Sequence, residues 1–153
     1  MKPINVMKVE FFSRSANESF ARVAVAAFVA QLDPTVDELA DIKTAVSEAV
    51  TNSIVHGYRD GIGKIYITVR IYENDRVTVS VKDLGCGIED VGKAMEPMFT
   101  TSPEGERAGL GFTVMQTFMD KLRVKSRVGF GTTVVMEKHL GKKSVGRGGT
   151  RED

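Results

Sequence analysis

The sequence predicts an α+β domain: a two-layer α/β sandwich with a mixed, mostly antiparallel sheet and its helices on one face. Three observations predict it. Two pairs of segments alternate apolar and polar residues with period two, each pair joined by a short turn. Two amphipathic helices with start signals precede the first pair, and a third helix separates the pairs. Antiparallel hairpins with one apolar face need helices laid over that face.

Val9 to Phe12 reads as a short strand entering a turn. Ser15-Ala16-Asn17-Glu18 has the spacing of a capping box, opening a helix to about Leu32 with Phe20, Val23, Ala27 and Phe28 on its apolar stripe. Asp33-Pro34 breaks it. Thr35-Val36-Asp37-Glu38 is a second capping box, opening a longer helix that ends near His56-Gly57. Ile65, Ile67, Val69 and Ile71 alternate with polar residues, and Val77, Val79 and Val81 repeat the pattern after a Glu73-Asn74-Asp75 turn. Residues 84–108 hold four glycines and two prolines, with periodicity limited to one helical turn near Val91 to Met95. So long a loop suggests an active-site lid. A helix is expected from Phe112 to about Asp120, and a last hairpin from Leu122–Ser126 and Thr132–Lys138 around Gly129-Phe130-Gly131.

A chain of 153 residues with 42% hydrophobic content fits one domain with one core, expected over residues 1–140. Its formal net charge of +1 argues against a nonspecific nucleic-acid binder. Residues 141–153 read as a disordered Gly/Lys/Arg tail, with a docking tail as the other reading. One cysteine, Cys86, excludes an intrachain disulfide and suits a reducing cytoplasm. The N-terminus lacks the apolar core of a signal peptide, and no run reaches the roughly 18 apolar residues of a membrane span.

Three short segments carry the chemistry. Glu48 and Asn52, four residues apart, share one helical stripe that His56 continues, with no Lys or Arg partner on it. That is either a solvated polar face or a carboxylate and an amide set for phosphate work, with a general base beside a magnesium ligand. Asp83 ends a strand pointing inward, and Gly85 and Gly87 follow; the segment is an Asx turn or a buried acceptor for a donor such as an adenine amino group. Gly109-Leu110-Gly111 is expected to open the helix at Phe112, where free N–H groups suit a phosphate. Arg107 either reaches a terminal phosphate or is a plain surface arginine. A third glycine for a dinucleotide fingerprint, a P-loop, H-E-x-x-H and a Cys/His cluster are all missing.

In this order, E-x-x-x-N on a helix, D-x-G-x-G after a hairpin, a lid, G-x-G and Gly131-Thr132-Thr133 resemble the GHKL ATPase superfamily, with its Bergerat ATP-binding fold. The stretches SEAVTNSIVHGY and MFTTSPEGERAGLGFTVMQTFMD are similar, more narrowly, to the sporulation anti-sigma class of serine protein kinases, over about residues 8–140. The resemblance implies ATP/ADP and Mg2+ as cofactors, Glu48 as general base, Asn52 as the magnesium ligand and Asp83 as the reader of adenine beside Gly85 and Gly87. It implies lid and phosphate contacts from Thr100, Thr101, Arg107, Gly109, Leu110 and Gly111, and support of the adenine site by Thr132 or Thr133. Such kinases act as homodimers: they bind and inhibit a sporulation sigma factor (sigma-F) and phosphorylate an anti-anti-sigma protein on serine, with no direct contact to nucleic acid or membrane. Glu18 and Arg22 match positions that touch these partners, although an i,i+4 surface ion pair explains them equally. Two other readings stand beside this one: a general-stress anti-sigma kinase, and a non-catalytic nucleotide-gated binding module. Cys86 reads as a filler within the D-x-G-x-G segment.

Overall fold

The structure, a computed structural model, describes residues 1–96 and 103–141, with the side chains of 103–109 left out of the description. Five strands form one sheet: β1 (Asn5–Phe12), β2 (Lys64–Ile71), β3 (Arg76–Asp83), β4 (Lys121–Arg127) and β5 (Gly131–His139). Their order is β1-β2-β3-β5-β4, and every neighbouring pair is antiparallel. The helices are α1 (Ala16–Val29), α2 (Val36–Asn52), α3 (Val91–Ala94) and α4 (Pro103–Phe118). α2 packs between α1 and α4.

Period-two alternation decides which face the helices cover. Ile65, Ile67, Val69 and Ile71 of β2, Val77, Val79 and Val81 of β3, and Val134 and Met136 of β5 are buried against Ile42, Val46, Ala49 and Val50 of α2 and Phe112 and Met115 of α4. The expected two-layer sandwich is the observed one. β1 is longer than the four residues read from the sequence. Its alternation is masked because Val6 and Phe12 lie exposed on the open face, while Met7, Val9 and Phe11 lean on the core.

Two details of α1 differ from expectation. Ser15 makes no side-chain cap, and the Glu18 carboxylate instead accepts from Arg22 at 3.2 Å. The core-facing stripe is Ala21, Val25 and Val29, whereas Phe20 and Val23 are about half exposed. A helix apolar on most of its faces gives periodicity little to choose between. α2 matches its signal: Thr35 Oγ1 accepts from the Glu38 N–H at 3.0 Å, and Glu38 accepts from the Thr35 N–H at 2.9 Å.

Lys138 is a fully buried lysine that the alternation did not anticipate. Its ammonium donates to the Phe118 carbonyl at the end of α4 (2.7 Å) and faces Asp41 of α2 at 3.4 Å. A cation at a helix C-terminus meets the negative end of the dipole. Glu38 also accepts from the Gly141 N–H at 2.7 Å, which ties the chain just after β5 back to the start of α2.

Candidate nucleotide site

α2 does not stop at Asn52. It runs into a π-helical turn, Ser53–Gly57, closed by the Tyr58 N–H on the Ser53 carbonyl at 2.9 Å. Such turns alter which side chains share a face and recur at functional sites. Here Ser53 is buried and donates its hydroxyl to Asp83 Oδ2 at 2.8 Å. Asp83 Oδ1 accepts from the Gly85 N–H at 3.0 Å. Burial raises the Asp83 pKa above its ordinary value, while the Gly85 N–H, the Ser53 hydroxyl and the Thr132 backbone oppose that rise. A carboxylate has about four acceptor sites, so capacity remains for a further donor.

The turn beyond Asp83 is held by close backbone contacts. A Cβ on Gly85 would stand 2.1 Å from the Gly57 carbonyl oxygen, and Gly87 takes φ +79° with its Cα against the Arg127 carbonyl. Only glycine satisfies both demands without strain. The Tyr58 hydroxyl donates to the Lys64 carbonyl and accepts from the Leu84 N–H, each at 2.6 Å, which pins the end of β3 to the start of β2.

Ser53, Gly57, Asp83 and Gly87 line a cavity of about 310 Å3. Asp83 and Thr132 line it with the apolar Ala49, Ile88, Phe112 and Val134, while Asn52 and His56 supply polar edges. Thr132 pairs with Asp83 across β3 and β5 and is buried; Thr133 points to the opposite sheet face. Of the two threonines, Thr132 is the one at the cavity.

Glu48 and Asn52 meet at α4. A Cβ on Gly111 would lie 3.1 Å from Asn52 Oδ1 and 3.3 Å from Glu48 Oε1, so the glycine lets the α4 backbone come down onto both groups. Asn52 Nδ2 is buried with no hydrogen-bond partner among the described residues. Burial, then the charge of Glu18 on α1, raises the Glu48 pKa.

Gly109-Leu110-Gly111 does not open a helix. It lies in the middle of α4, which begins at Pro103, and Leu110 is half exposed. An interior helical glycine costs about 1 kcal/mol relative to alanine, and that penalty misplaced the expected start. The signal that would have found it is Ser102-Pro103-Glu104, an N-cap residue followed by proline at the first helical position. The lid expected over 84–108 therefore gives up 103–108 to α4 and Val91–Ala94 to α3. Thr100 and Thr101 lie outside the described residues, as do the side chain of Arg107 and the surroundings of Gly109. Glu18 and Arg22 are together on α1, and Arg22 also reaches Ser47 Oγ at 3.4 Å. Ser53, Gly57 and Tyr58 were not among the expected site residues, although Ser53, His56, Gly57 and Tyr58 all stand in the same short stretch as Asn52.

Residues 13–138 match the family model of the histidine kinase-like ATPase domain. The chain is 62% identical over 138 residues to an anti-sigma F factor of Caldanaerobacter subterraneus subsp. tengcongensis, covering 90% of this chain and 96% of that protein. It is 60% identical to the anti-sigma F factor of Clostridium novyi, covering 89% and 95%. It belongs to the anti-sigma F factor family. Membership extends to more distant relatives such as the anti-sigma F factor of Geobacillus thermodenitrificans, 56% identical with 90% and 94% covered. Among solved structures, the RsbU and RsbW domains of a Mycobacterium tuberculosis protein share the fold at a TM-score of 0.66, with 19% identity over 90% of this chain and 32% of that one. The histidine kinase domain of an Erythrobacter litoralis blue-light activated histidine kinase does so at 0.57, with 19% identity over 84% and 63%. The anti-sigma F factor family thus carries a histidine kinase-like ATPase domain here, and no helix among the described residues is long and apolar enough to cross a membrane.

Proposed function

We propose that this anti-sigma F family member is a cytoplasmic, ATP-dependent serine protein kinase that inhibits a sporulation sigma factor and phosphorylates the anti-anti-sigma protein opposing it. One observation carries the reading: a half-buried carboxylate, Glu48, and an orphaned amide, Asn52, adjoin a cavity whose buried acceptor is Asp83. A pure nucleotide-binding module needs the acceptor and the cavity but has no use for a base.

Asp83 would accept the exocyclic amino group of adenine, and the walls of Ile88, Phe112 and Val134 suit a purine ring. Thr132 would support the adenine edge. The Asn52 amide oxygen and the phosphates would share a magnesium ion, a hard cation that takes few protein oxygens. When bound, magnesium supplies charge neutralisation of the triphosphate. Gly109, Leu110 and Gly111, with Thr100, Thr101 and Arg107, would contact the phosphates, and Gly85 and Gly87 would give the ring room. Glu48 would take the proton of the substrate serine as its oxygen bonds to the γ-phosphorus and the bond from phosphorus to the β,γ-bridging oxygen breaks, leaving ADP. Glu18 and Arg22 would form the docking face for protein partners. The exposed apolar residues Phe20 and Val23, three residues apart on α1, support a homodimer, since neighbouring exposed apolar side chains favour association.

The decisive experiment incubates the chain with labelled ATP, magnesium and a candidate anti-anti-sigma protein, then assays phosphoserine. Labelled phosphoserine is the expected product. Tight ATP binding with no phosphoserine on any such protein would favour the nucleotide-gated module instead.

The rate is also expected to depend on pH in a specified direction. Protonated Glu48 cannot accept a proton, so activity falls as pH drops through its pKa. Burial and Glu18 raise that pKa, so the acid limb should lie above the ordinary glutamate value of 4.5. Glu18→Gln removes a neighbouring negative charge and should move the limb to lower pH. A limb unmoved in Glu18→Gln, measured at saturating ATP, would separate it from Glu48.

A further inference from the structure

The helices cover one face of the sheet, and the other is open. Along β4, Lys121, Arg123, Lys125 and Arg127 alternate with half-buried residues and are all exposed on that open face. The register sets Arg123 opposite Val135 and Lys125 opposite Thr133, with Lys82 of β3 on the other side of Thr133. Arg70 of β2 and Lys8 of β1 stand on the same face. The strand carboxylates there, Glu10 and Glu137, are already engaged, the first by Lys64 and the second by Arg76 and Lys121. Lys8, Arg70, Lys82, Arg123, Lys125 and Arg127 have no carboxylate partner among the described residues. A chain with net charge +1 has therefore gathered an uncompensated positive field on one surface.

Charged edge strands protect against unwanted pairing, and β4 is an edge. That accounts for β4 and for Lys8 on the other edge, β1. Lys82 and Arg70 lie on interior strands, where no edge needs protection. At the same end of the sheet lies a second cleft of about 230 Å3, lined by Lys82, Leu84, Lys125, Arg127, Phe130 and Thr133. Leu84 and Phe130 in its lining are 53% and 61% exposed. Cations and apolar side chains thus share one concave surface.

We propose that this cleft and the basic face beside it dock an acidic segment of a partner protein, with an apolar side chain seated between Leu84 and Phe130 and carboxylates paired to Lys82, Arg123 and Lys125. Charge complementarity selects an anion, and one feature selects a protein over a nucleic acid. The Arg127 guanidinium already stacks on the Phe130 ring, 4.4 Å from its centroid, so that ring offers no free stacking platform. The face also carries Tyr66, opposite Lys82 in the register, so single-stranded nucleic acid is the competitor that the test includes. The cleft adjoins the nucleotide cavity, with Asp83 and Thr132 in the lining of both, and it backs onto that cavity's loop: the Gly129 N–H donates to the Cys86 carbonyl at 2.8 Å, and the Ile88 N–H donates to Ser126 Oγ at 2.7 Å.

The test is fluorescence anisotropy on the full chain with a labelled peptide of mixed glutamate, aspartate and leucine, and with a single-stranded DNA oligonucleotide of equal charge. The peptide is expected to bind more tightly than the DNA, to weaken as salt screens the charges, and to stay bound at saturating ATP. The double variant Arg123→Glu with Lys125→Glu should weaken it about tenfold or more and accept the mirror peptide of lysine and leucine instead. Phe130→Ser should weaken the acidic peptide without that inversion. Both variants are at exposed positions, and thermal melting checks that each folds. Tighter binding of the DNA, displacement of the peptide by ATP, or peptide affinity unchanged in the charge-reversed variant would each overturn the assignment. None of these outcomes depends on kinase activity.

Discussion

Asp83→Asn is expected to weaken ATP binding by about 10- to 100-fold while leaving the fold intact. The substitution changes little that the protein itself uses. The amide oxygen can keep the Gly85 N–H, and the amide nitrogen can donate to the Ser53 hydroxyl, which accepts as readily as it donates. It also removes a buried charge whose pKa burial pushes up, so the variant should not unfold on this account. What it loses is an ionised acceptor aimed into the cavity. A hydrogen bond to a charged group contributes about 1.5–3 kcal/mol, and about 1.4 kcal/mol is tenfold in affinity. Selectivity should fall with affinity: guanine carries an oxygen where adenine carries the amino group, and the variant should discriminate less between ATP and GTP. Calorimetric titration with both nucleotides, beside a thermal melt, checks this. Undiminished ATP affinity in a folded variant would remove Asp83 from the adenine role. Asp83→Ala is the poorer test, because it strands the Ser53 hydroxyl and the Gly85 N–H at about 1–3 kcal/mol each.

How much of this was legible in the sequence depended on which force set each feature. Strict alternation in β2, β3 and β5 and the Thr35–Glu38 box are local signals with one solution each, and the sandwich follows from them. α1 shows the opposite case. Its run of Val, Ala and Phe is apolar on most faces, so only tertiary packing decides that Ala21, Val25 and Val29 face inward. Lys138 occupies a core position because Asp41 and the end of α4 satisfy it, and no rule of alternation foresees a partner that remote in sequence.

The site divides in the same way. Glu48, Asn52 and Asp83 were readable because a helical period and a strand end fix where they point. The role of Ser53 was not, because α2 changes to a π-helical turn there and departs from the period used to read it. Gly111 reads as part of a helix start, whereas it sits within α4 and clears space for Glu48 and Asn52. The basic face was invisible to net charge, since acidic residues elsewhere cancel it in the sum but not in space.

Glu48→Gln is expected to retain ATP binding and to lose phosphoryl transfer by about 10^2- to 10^4-fold, the usual contribution of a positioned general base. Glutamine keeps the size and most of the packing at a half-buried position and loses only the capacity to accept a proton. Because burial and Glu18 make ionised Glu48 costly, neutral glutamine should leave the fold at least as stable near neutral pH. The sign follows from linkage: a carboxylate with a raised folded pKa contributes stability when protonated, and that contribution is lost as pH rises through the folded value. Glu48→Gln should therefore stabilise the chain slightly above that pH while silencing the reaction, a combination that a purely structural role cannot give. A loss confined to KM for ATP would instead mark Glu48 as a binding group. The measurement is single-turnover transfer from ATP to the serine of an anti-anti-sigma protein, with thermal melts of both proteins at matched pH. Undiminished phosphoserine would remove Glu48 from the base role and leave Asn52 and Asp83 as the working parts of a nucleotide-binding site alone.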